Sequence, residues 1–136
     1  MSTRHKLAIA TAAVLTVIAL SGCSGAQSKA DACKSVRPTV NTAIGNINTA
    51  VSGFSSDPAA ALTKLQSTDA SYKKGLTKIS NPEIKKKSSK AEKTLASFIG
   101  DVKAFVADPT SDSSALQKSS TTLQTDFGAI QKSCTS

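Results

Sequence analysis

Three dipeptides in which Asp or Asn precedes a proline constrain the fold of this chain more than any other feature: Asp57-Pro58, Asn81-Pro82 and Asp108-Pro109. Proline cannot continue a helix, but it is favoured at the first helical position, where a preceding Asp or Asn caps free backbone N–H groups. The first two dipeptides therefore predict helix starts, and the third predicts a helix end. Together they divide the chain after residue 30 into four segments.

Apolar residues recur in each segment at helical spacing, mostly in steps of three and four, which predicts four helices, each with one apolar face. Pro38 lies early in the first segment, where a helix start or a kink is tolerated, and Asp112 or Ser113 is the expected cap of the fourth helix. The four apolar stripes are Cys33, Val36, Val40, Ile44, Ile47, Val51 and Phe54; Leu62, Leu65, Tyr72, Leu76 and Ile79; Ile84, Ala91, Leu95, Phe98, Val102 and Phe105; and Leu116, Leu123, Phe127, Ile130 and Cys134.

The first 23 residues follow a different pattern. A basic head, MSTRHK, precedes a 14-residue apolar run and the small-residue exit SGC, as in a secretory signal. Leu20-Ser21-Gly22-Cys23 resembles the lipobox of bacterial lipoproteins at all four positions. The resemblance implies cleavage between Gly22 and Cys23, a diacylglyceryl thioether with palmitate-type chains on Cys23, and a location on the extracytoplasmic side of the cell membrane. The alternative is an ordinary secreted protein with a cysteine after its cleavage site by chance.

The connections between the four helical segments are short, so sequential helices are expected to be antiparallel. The sequence therefore predicts an all-α, up-down-up-down four-helix bundle over residues 31–136, after a signal peptide (1–22) and a lipidated cysteine with a polar linker (23–30). In this topology Cys33 and Cys134 lie at the same end of the bundle. An even pair of cysteines in a small exported domain predicts a disulfide, whereas a redox or metal-binding pair lacks a CxxC spacing and any nearby His.

The chain after Gly22 contains no His, so the usual general base and the commonest metal ligand are missing. Its nine carboxylates are scattered, and no Gly-rich phosphate loop, nucleophile elbow or zinc-ligand spacing occurs. We therefore expect no enzyme activity, no catalytic residue, no metal and no cofactor.

Charge is the second functional signal. From Cys23 onward the chain has 15 basic and 9 acidic residues, a net charge of +6, and export argues against nucleic acid as the partner. The bundle topology places most of the lysines at the end that carries the lipid anchor. Eight of them are candidate contacts for anionic lipid head groups or an envelope polymer, and the alternative is a plain solvated face: Lys73, Lys74, Lys78, Lys85, Lys86, Lys87, Lys90 and Lys93.

Three polar residues, Asp69, Ser88 and Ser120, interrupt the apolar stripes. They are expected either to line a small polar pocket or to lie on the helix flanks, with neighbours turned inward instead; those neighbours are Thr68, Ala91 and Ser119. Tyr72 lies in a helical stripe and is expected in the core.

The whole pattern resembles the small helical lipoproteins of Gram-positive bacteria, particularly actinobacteria, most of which have no assigned activity. The sequence thus predicts a membrane-anchored, non-enzymatic binding or interaction module with an unidentified protein partner. The alternatives are a small-ligand-binding bundle and a phage-type exclusion or immunity lipoprotein. An exposed apolar or acidic patch at the end away from the anchor would indicate an interaction module, and an enclosed cavity would indicate a ligand binder.

Overall fold

The computed structural model describes residue 25 and residues 27–136. The signal peptide and Cys23 lie outside the described residues. Four helices follow one another, α1 (Lys29–Gly53), α2 (Pro58–Leu76), α3 (Pro82–Ala107) and α4 (Ser114–Ser133), and the described part of the chain contains no strand. The predicted all-α fold is confirmed.

The caps that start α2 and α3 are those predicted from the Asx-Pro dipeptides. The Asp57 side chain accepts a hydrogen bond from the Ala60 N–H at 2.9 Å, and the Asn81 side chain accepts one from the Ile84 N–H at 3.2 Å. Each satisfies a backbone donor that the helix cannot satisfy itself. Pro58 and Pro82 then occupy the first helical positions.

The starts of α1 and α4 differ in detail from the expectation. Ser28 caps α1, which begins two residues before the predicted start, and Pro38 lies in the interior of the helix. The last residue before α4 is Ser113, whose side chain makes no capping bond. The Asp112 carboxylate instead accepts a hydrogen bond from the Ser114 N–H at 2.9 Å.

The helices run up, down, up and down, as predicted. Lys29 and Glu83, at the starts of α1 and α3, form an ion pair of 3.5 Å, and the rings of Phe54 and Phe105, towards the ends of those helices, lie 6.0 Å apart. Cys33 and Cys134 form a disulfide with Cα atoms 5.3 Å apart, so the end of α4 meets the start of α1. We call this the disulfide end of the bundle and the opposite end the distal end.

The core is continuous, but the helices around it do not pack equally closely on one another. Tyr72 is 1% exposed, as expected for a core residue, and packs edge-on against Phe127 with ring centroids 5.4 Å apart. Helix α1 packs mainly on α2, α4 mainly on α3, and α2 on α3, whereas α1 and α4 approach each other closely at few positions. The side between α1 and α4 is therefore an open seam.

The prediction that Val51 lies in the core is wrong, since this side chain is 53% exposed. Ala43 and Ala50, one position before Ile44 and Val51, take the core positions instead. Ile44 and Val51 face the seam, where α4 does not cover α1 completely.

Candidate functional site

The eight candidate lysines lie in the last part of α2, the first half of α3 and the connection between them. Three of them form ion pairs: Lys73 with Asp69 (2.7 Å) and Glu92 (3.3 Å), Lys87 with Glu83 (3.1 Å), and Lys90 with Asp126 (2.8 Å). The other five are exposed, with no carboxylate within 4.0 Å in the described part of the chain; they are Lys74, Lys78, Lys85, Lys86 and Lys93. We call these five the free lysines.

Lys90 has a structural role that its sequence position does not reveal. The Asp126 side chain is only 4% exposed, and its two oxygens contact Lys90 Nζ at 2.8 Å and Thr94 Oγ1 at 2.7 Å. A buried carboxylate needs such partners because its hydration has been lost. Lys90 therefore pairs with the buried Asp126 carboxylate and is less available to an external anion.

Other lysines of the group are coupled to nearby carboxylates in a weaker, exposed setting. Hydrogen bonds to Asp69 and Glu92 raise the pKa of Lys73. A hydrogen bond from Lys87 lowers the pKa of Glu83, and the charge of Lys29 acts in the same direction. These pairs leave Lys73 and Lys87 less available to an external anion than the free lysines.

Gln27, in the predicted linker, is fixed to the connection between α2 and α3. Its N–H donates to Ser80 Oγ (3.4 Å), its side-chain oxygen accepts from the Ser80 N–H (3.1 Å), and its carbonyl accepts from Asn81 Nδ2 (3.0 Å). Lys78 lies in this connection, and Lys85 lies at the start of α3 just after it. The chain before α1 is therefore attached beside the free lysines.

A basic recess lies between α1 and α4 at the disulfide end. It encloses about 670 Å³ and is lined by Lys29, Lys34 and Arg37 together with the disulfide. Arg37 Nη2 donates a hydrogen bond to the Cys134 carbonyl and links the two helices a second time. The disulfide end thus presents positive charge from α1 as well as from α2 and α3.

The three polar interruptions do not meet in one pocket. Thr68, Ala91 and Ser119 are buried, as expected if neighbours turn inward, and Ser88 is buried as well. Tyr72 donates its hydroxyl hydrogen to the Ser88 carbonyl at 3.4 Å. Asp69 pairs with Lys73 on a helix flank, and Ser120 borders the seam between α1 and α4.

The distal half of this seam contains an apolar cleft that the sequence did not predict. The cleft encloses about 460 Å³. Its floor is formed by Leu65, Phe98 and Val102, each 3% exposed or less, and Val51 forms its exposed lip. The residues that line it are Ala50, Val51, Phe54, Leu65, Phe98, Val102, Leu116, Gln117, Ser120 and Thr121.

A second cavity of about 200 Å³ continues the cleft along the seam towards the disulfide end and shares Val51, Phe98 and Ser120 with it. None of the residues that line the two cavities is charged; the second is lined by Ile44, Ile47, Asn48, Val51, Phe98, Ser120, Leu123, Gln124, Phe127 and Gly128. We call the two cavities together the seam cleft. The signal that could have found it is the excess of apolar residues on α1 opposite a Ser/Thr-rich start of α4.

Within the described residues, no three His, Cys, Asp or Glu side chains are grouped so that they could hold a metal ion. No helix of the described part is long and apolar enough to cross a membrane. Comparison with protein-family models, with curated proteins and with solved structures found no match to this chain. Its function is therefore inferred from its own residues.

Proposed function

We propose that this protein is an extracytoplasmic lipoprotein, anchored in the cell membrane through Cys23, that acts as a non-enzymatic binding module. The lipobox resemblance supports the anchor, and the attachment of Gln27 carries the proposal further. Gln27 is only four positions after Cys23 in sequence, a span of at most about 14 Å when fully extended. A lipid on Cys23 would hold the disulfide end close to the bilayer.

The charge of the disulfide end supports the same orientation. The potential of an anionic membrane decays within about 8–10 Å at physiological ionic strength, and each lysine near such a surface contributes on the order of 1 kcal/mol. The tether keeps Lys78, Lys85 and Lys86, which lie within a few residues of the connection that binds Gln27, near the depth that this potential reaches, and the basic recess of Lys34 and Arg37 lies at the same end. The proposed arrangement places the disulfide end on anionic head groups and points the distal end away from the membrane.

Cell fractionation of Cys23→Ala tests the anchor. The variant is expected in the medium, or in the membrane only as a precursor that keeps its signal peptide, because it has no thiol to acylate. Wild-type protein in the same cells is the control. A variant that is cleaved normally and still sediments with the membrane contradicts the proposal.

Vesicle binding tests the orientation separately. The chain from Ser24 is expected to bind vesicles more strongly as their anionic lipid content rises, and less strongly as salt rises. Replacing Lys78, Lys85 and Lys86, three lysines at the disulfide end, by Gln should abolish most of this binding. The matched control replaces Lys64, Lys103 and Lys118, which are exposed and lie towards the distal end.

The two triple variants lose the same charge, so a nonspecific effect of net charge weakens both equally and contradicts the orientation. Lys87 and Lys90 are left intact because their ion pairs with Glu83 and Asp126 belong to the fold.

The alternative of a small-ligand-binding bundle is favoured by one specific observation, the seam cleft.

A further inference from the structure

We infer that the seam cleft binds an uncharged long-chain lipid, a single acyl or alkyl chain that ends in an ester, hydroxyl or amide group. This inference rests on the proposed binding role and names the ligand class. It requires neither the lipid anchor nor the orientation of the bundle on the membrane.

The shape of the cleft selects a thin, linear ligand. Its walls run from Ile44 to Phe54 on α1 and from Leu116 to Gly128 on α4, which is about 15 Å and 18 Å at the rise of an α-helix. The floor residues Leu65, Phe98 and Val102 are almost inaccessible to water, so a single chain contacts them only after side chains at the mouth of the cleft turn aside. A partner helix, about 10 Å wide, would require α1 and α4 themselves to separate.

The volume agrees with one long chain. An engineered apolar cavity of about 150 Å³ holds one benzene molecule, and the larger part of the cleft, at about 460 Å³, is three times that size. Because the cleft is open to solvent on one side, this proportion gives an upper limit of roughly eighteen carbon atoms. The smaller part adds about 200 Å³ along the same axis.

The chemistry of the lining selects an uncharged head group. No Lys, Arg, Asp or Glu lines the cleft, so an ionised head group inside it would lose hydration without gaining a counter-charge. Neutral hydrogen-bonding groups occur along α4 at Gln117, Ser120, Thr121 and Gln124, and on α1 at Asn48. They can bond an ester, a hydroxyl or an amide at the edge of the apolar floor.

The exposed lip gives a reason for the ligand to bind. Val51 is 53% exposed, and Phe54 and Leu116 are only partly covered at the distal end. A chain lying in the cleft would remove these surfaces from water. The disulfide joins α1 and α4 at the opposite end and leaves the distal half of the seam open to entry.

Photo-crosslinking in cells that express the full chain tests the inference. The probe is a monoacylglycerol whose acyl chain carries a diazirine and a terminal alkyne. We expect labelling of peptides that contain residues 44–54 and 116–128. Val51→Lys should reduce labelling at least tenfold, and Ser52→Lys, its matched control on an exposed position outside the cleft, should stay within twofold of wild type.

Ser120→Phe, which fills the cleft without adding charge, should also reduce labelling at least tenfold at equal protein abundance. The corresponding free fatty acid probe should label at least fivefold less than the monoacylglycerol. Absent labelling of wild type, crosslinks confined to segments that do not line the cleft, or equal labelling of the Val51 and Ser52 variants would each overturn the inference. Equal labelling by the fatty acid probe would overturn the uncharged head group. Fractionation of the same cells tests the anchor independently. Labelled protein in the soluble fraction would contradict the lipoprotein proposal but would still support the binding site in the cleft.

Discussion

Asp126 shows how a single residue can change the meaning of a charge pattern. In the sequence it is one of nine scattered carboxylates, but in the bundle it is buried between Lys90 and Thr94. Removal of one partner from a buried pair leaves an uncompensated charge, which is more costly than loss of the pair as a whole. Lys90 therefore stabilises the fold although its own side chain is 70% exposed.

We predict that Lys90→Gln lowers the free energy of unfolding by about 1–2 kcal/mol, since the Asp126 carboxylate keeps its burial and loses its counter-charge. Lys93→Gln, a neighbour on α3 that has no ion pair among the described residues, should stay within about 0.5 kcal/mol of wild type. Urea unfolding followed by circular dichroism measures both. Equal effects of the two variants would show that the Lys90–Asp126 pair contributes no stability.

Tyr72 is the chain's single tyrosine, so its ionisation can be followed without overlap. Burial raises the pKa of its phenol above the ordinary value of 10.0. The unfolded state then ionises first, so this contribution to stability is complete below pH 10 and is lost as pH rises through the pKa of the folded state. We predict that phenolate absorbance appears together with loss of helical signal, and that Tyr72→Phe weakens the dependence of stability on pH above 10. Phenolate formation near pH 10 in a fully helical protein would contradict the burial of Tyr72.

The sequence predicted correctly the role of residues whose contacts are with neighbours close in sequence. Asp57 and Asn81 cap helices through bonds to residues three positions later, so the neighbours needed for the prediction are in the sequence itself. Val51 was assigned wrongly because a helical stripe defines a direction only to within about one position. Whether Ala50 or Val51 faces the core depends on the distance to α4, which no local pattern contains.

At the scale of the elements, α1 and α2 approach each other closely at Gly75. A Cβ atom added there would overlap Thr39 Cγ2 and lie 2.6 Å from Thr39 Oγ1. Threonine is β-branched and stiff at χ1, so it cannot easily turn away. Gly75 thus permits a helix contact that any larger residue would widen.

We predict that Gly75→Ala destabilises the protein by about 1–3 kcal/mol, because overpacking outweighs the gain in helix propensity. Gly100→Ala, in the interior of α3 with nothing within 4 Å of the added methyl group, should stabilise by about 0.4–1 kcal/mol. Thermal unfolding of the two variants gives the comparison. Stabilisation by both substitutions would show that α1 and α2 are less close at this point than described.

The seam cleft also belongs to this scale, and it explains what the stripes could not predict. Between Leu116 and Leu123 the side of α4 that borders the seam carries Ser120, which is too small to fill the space opposite Ile47 and Val51. Periodicity indicates which face of a helix is apolar. It does not indicate how closely two apolar faces meet, which depends on the side-chain volumes of both.

At the scale of the whole molecule, the bundle topology brings Cys33 and Cys134 to the same end, as predicted. The two cysteines form a disulfide across a sequence separation of 101. The bond matters more here than in an evenly packed bundle, because α1 and α4 approach each other closely at few positions. Closing a loop of this length stabilises by up to about 4.7 kcal/mol through the entropy of the unfolded chain.

We predict that the double variant Cys33→Ser, Cys134→Ser loses about 2–4 kcal/mol of unfolding free energy while keeping most of its helical circular dichroism at room temperature. The apolar faces of α1 to α4 still favour the bundle, and the cost arises mainly in the unfolded chain. Urea midpoints of the variant and of wild type, oxidised and reduced, measure the difference. An unchanged midpoint on reduction would mean that the bond contributes nothing.

We propose that the bundle stands on the membrane with its disulfide end towards the bilayer. Lys86 lies in the first part of α3, and Thr110 lies three residues beyond its other end; the helix between residues 86 and 107 is about 32 Å long. A fluorophore is introduced at one or the other position by codon suppression, in the acylated protein that begins at Cys23. On vesicles with anionic lipid, spin-labelled head groups can quench it. The proposed orientation predicts strong quenching at position 86 and almost none at position 110; equal quenching at both, or stronger quenching at 110, would contradict it.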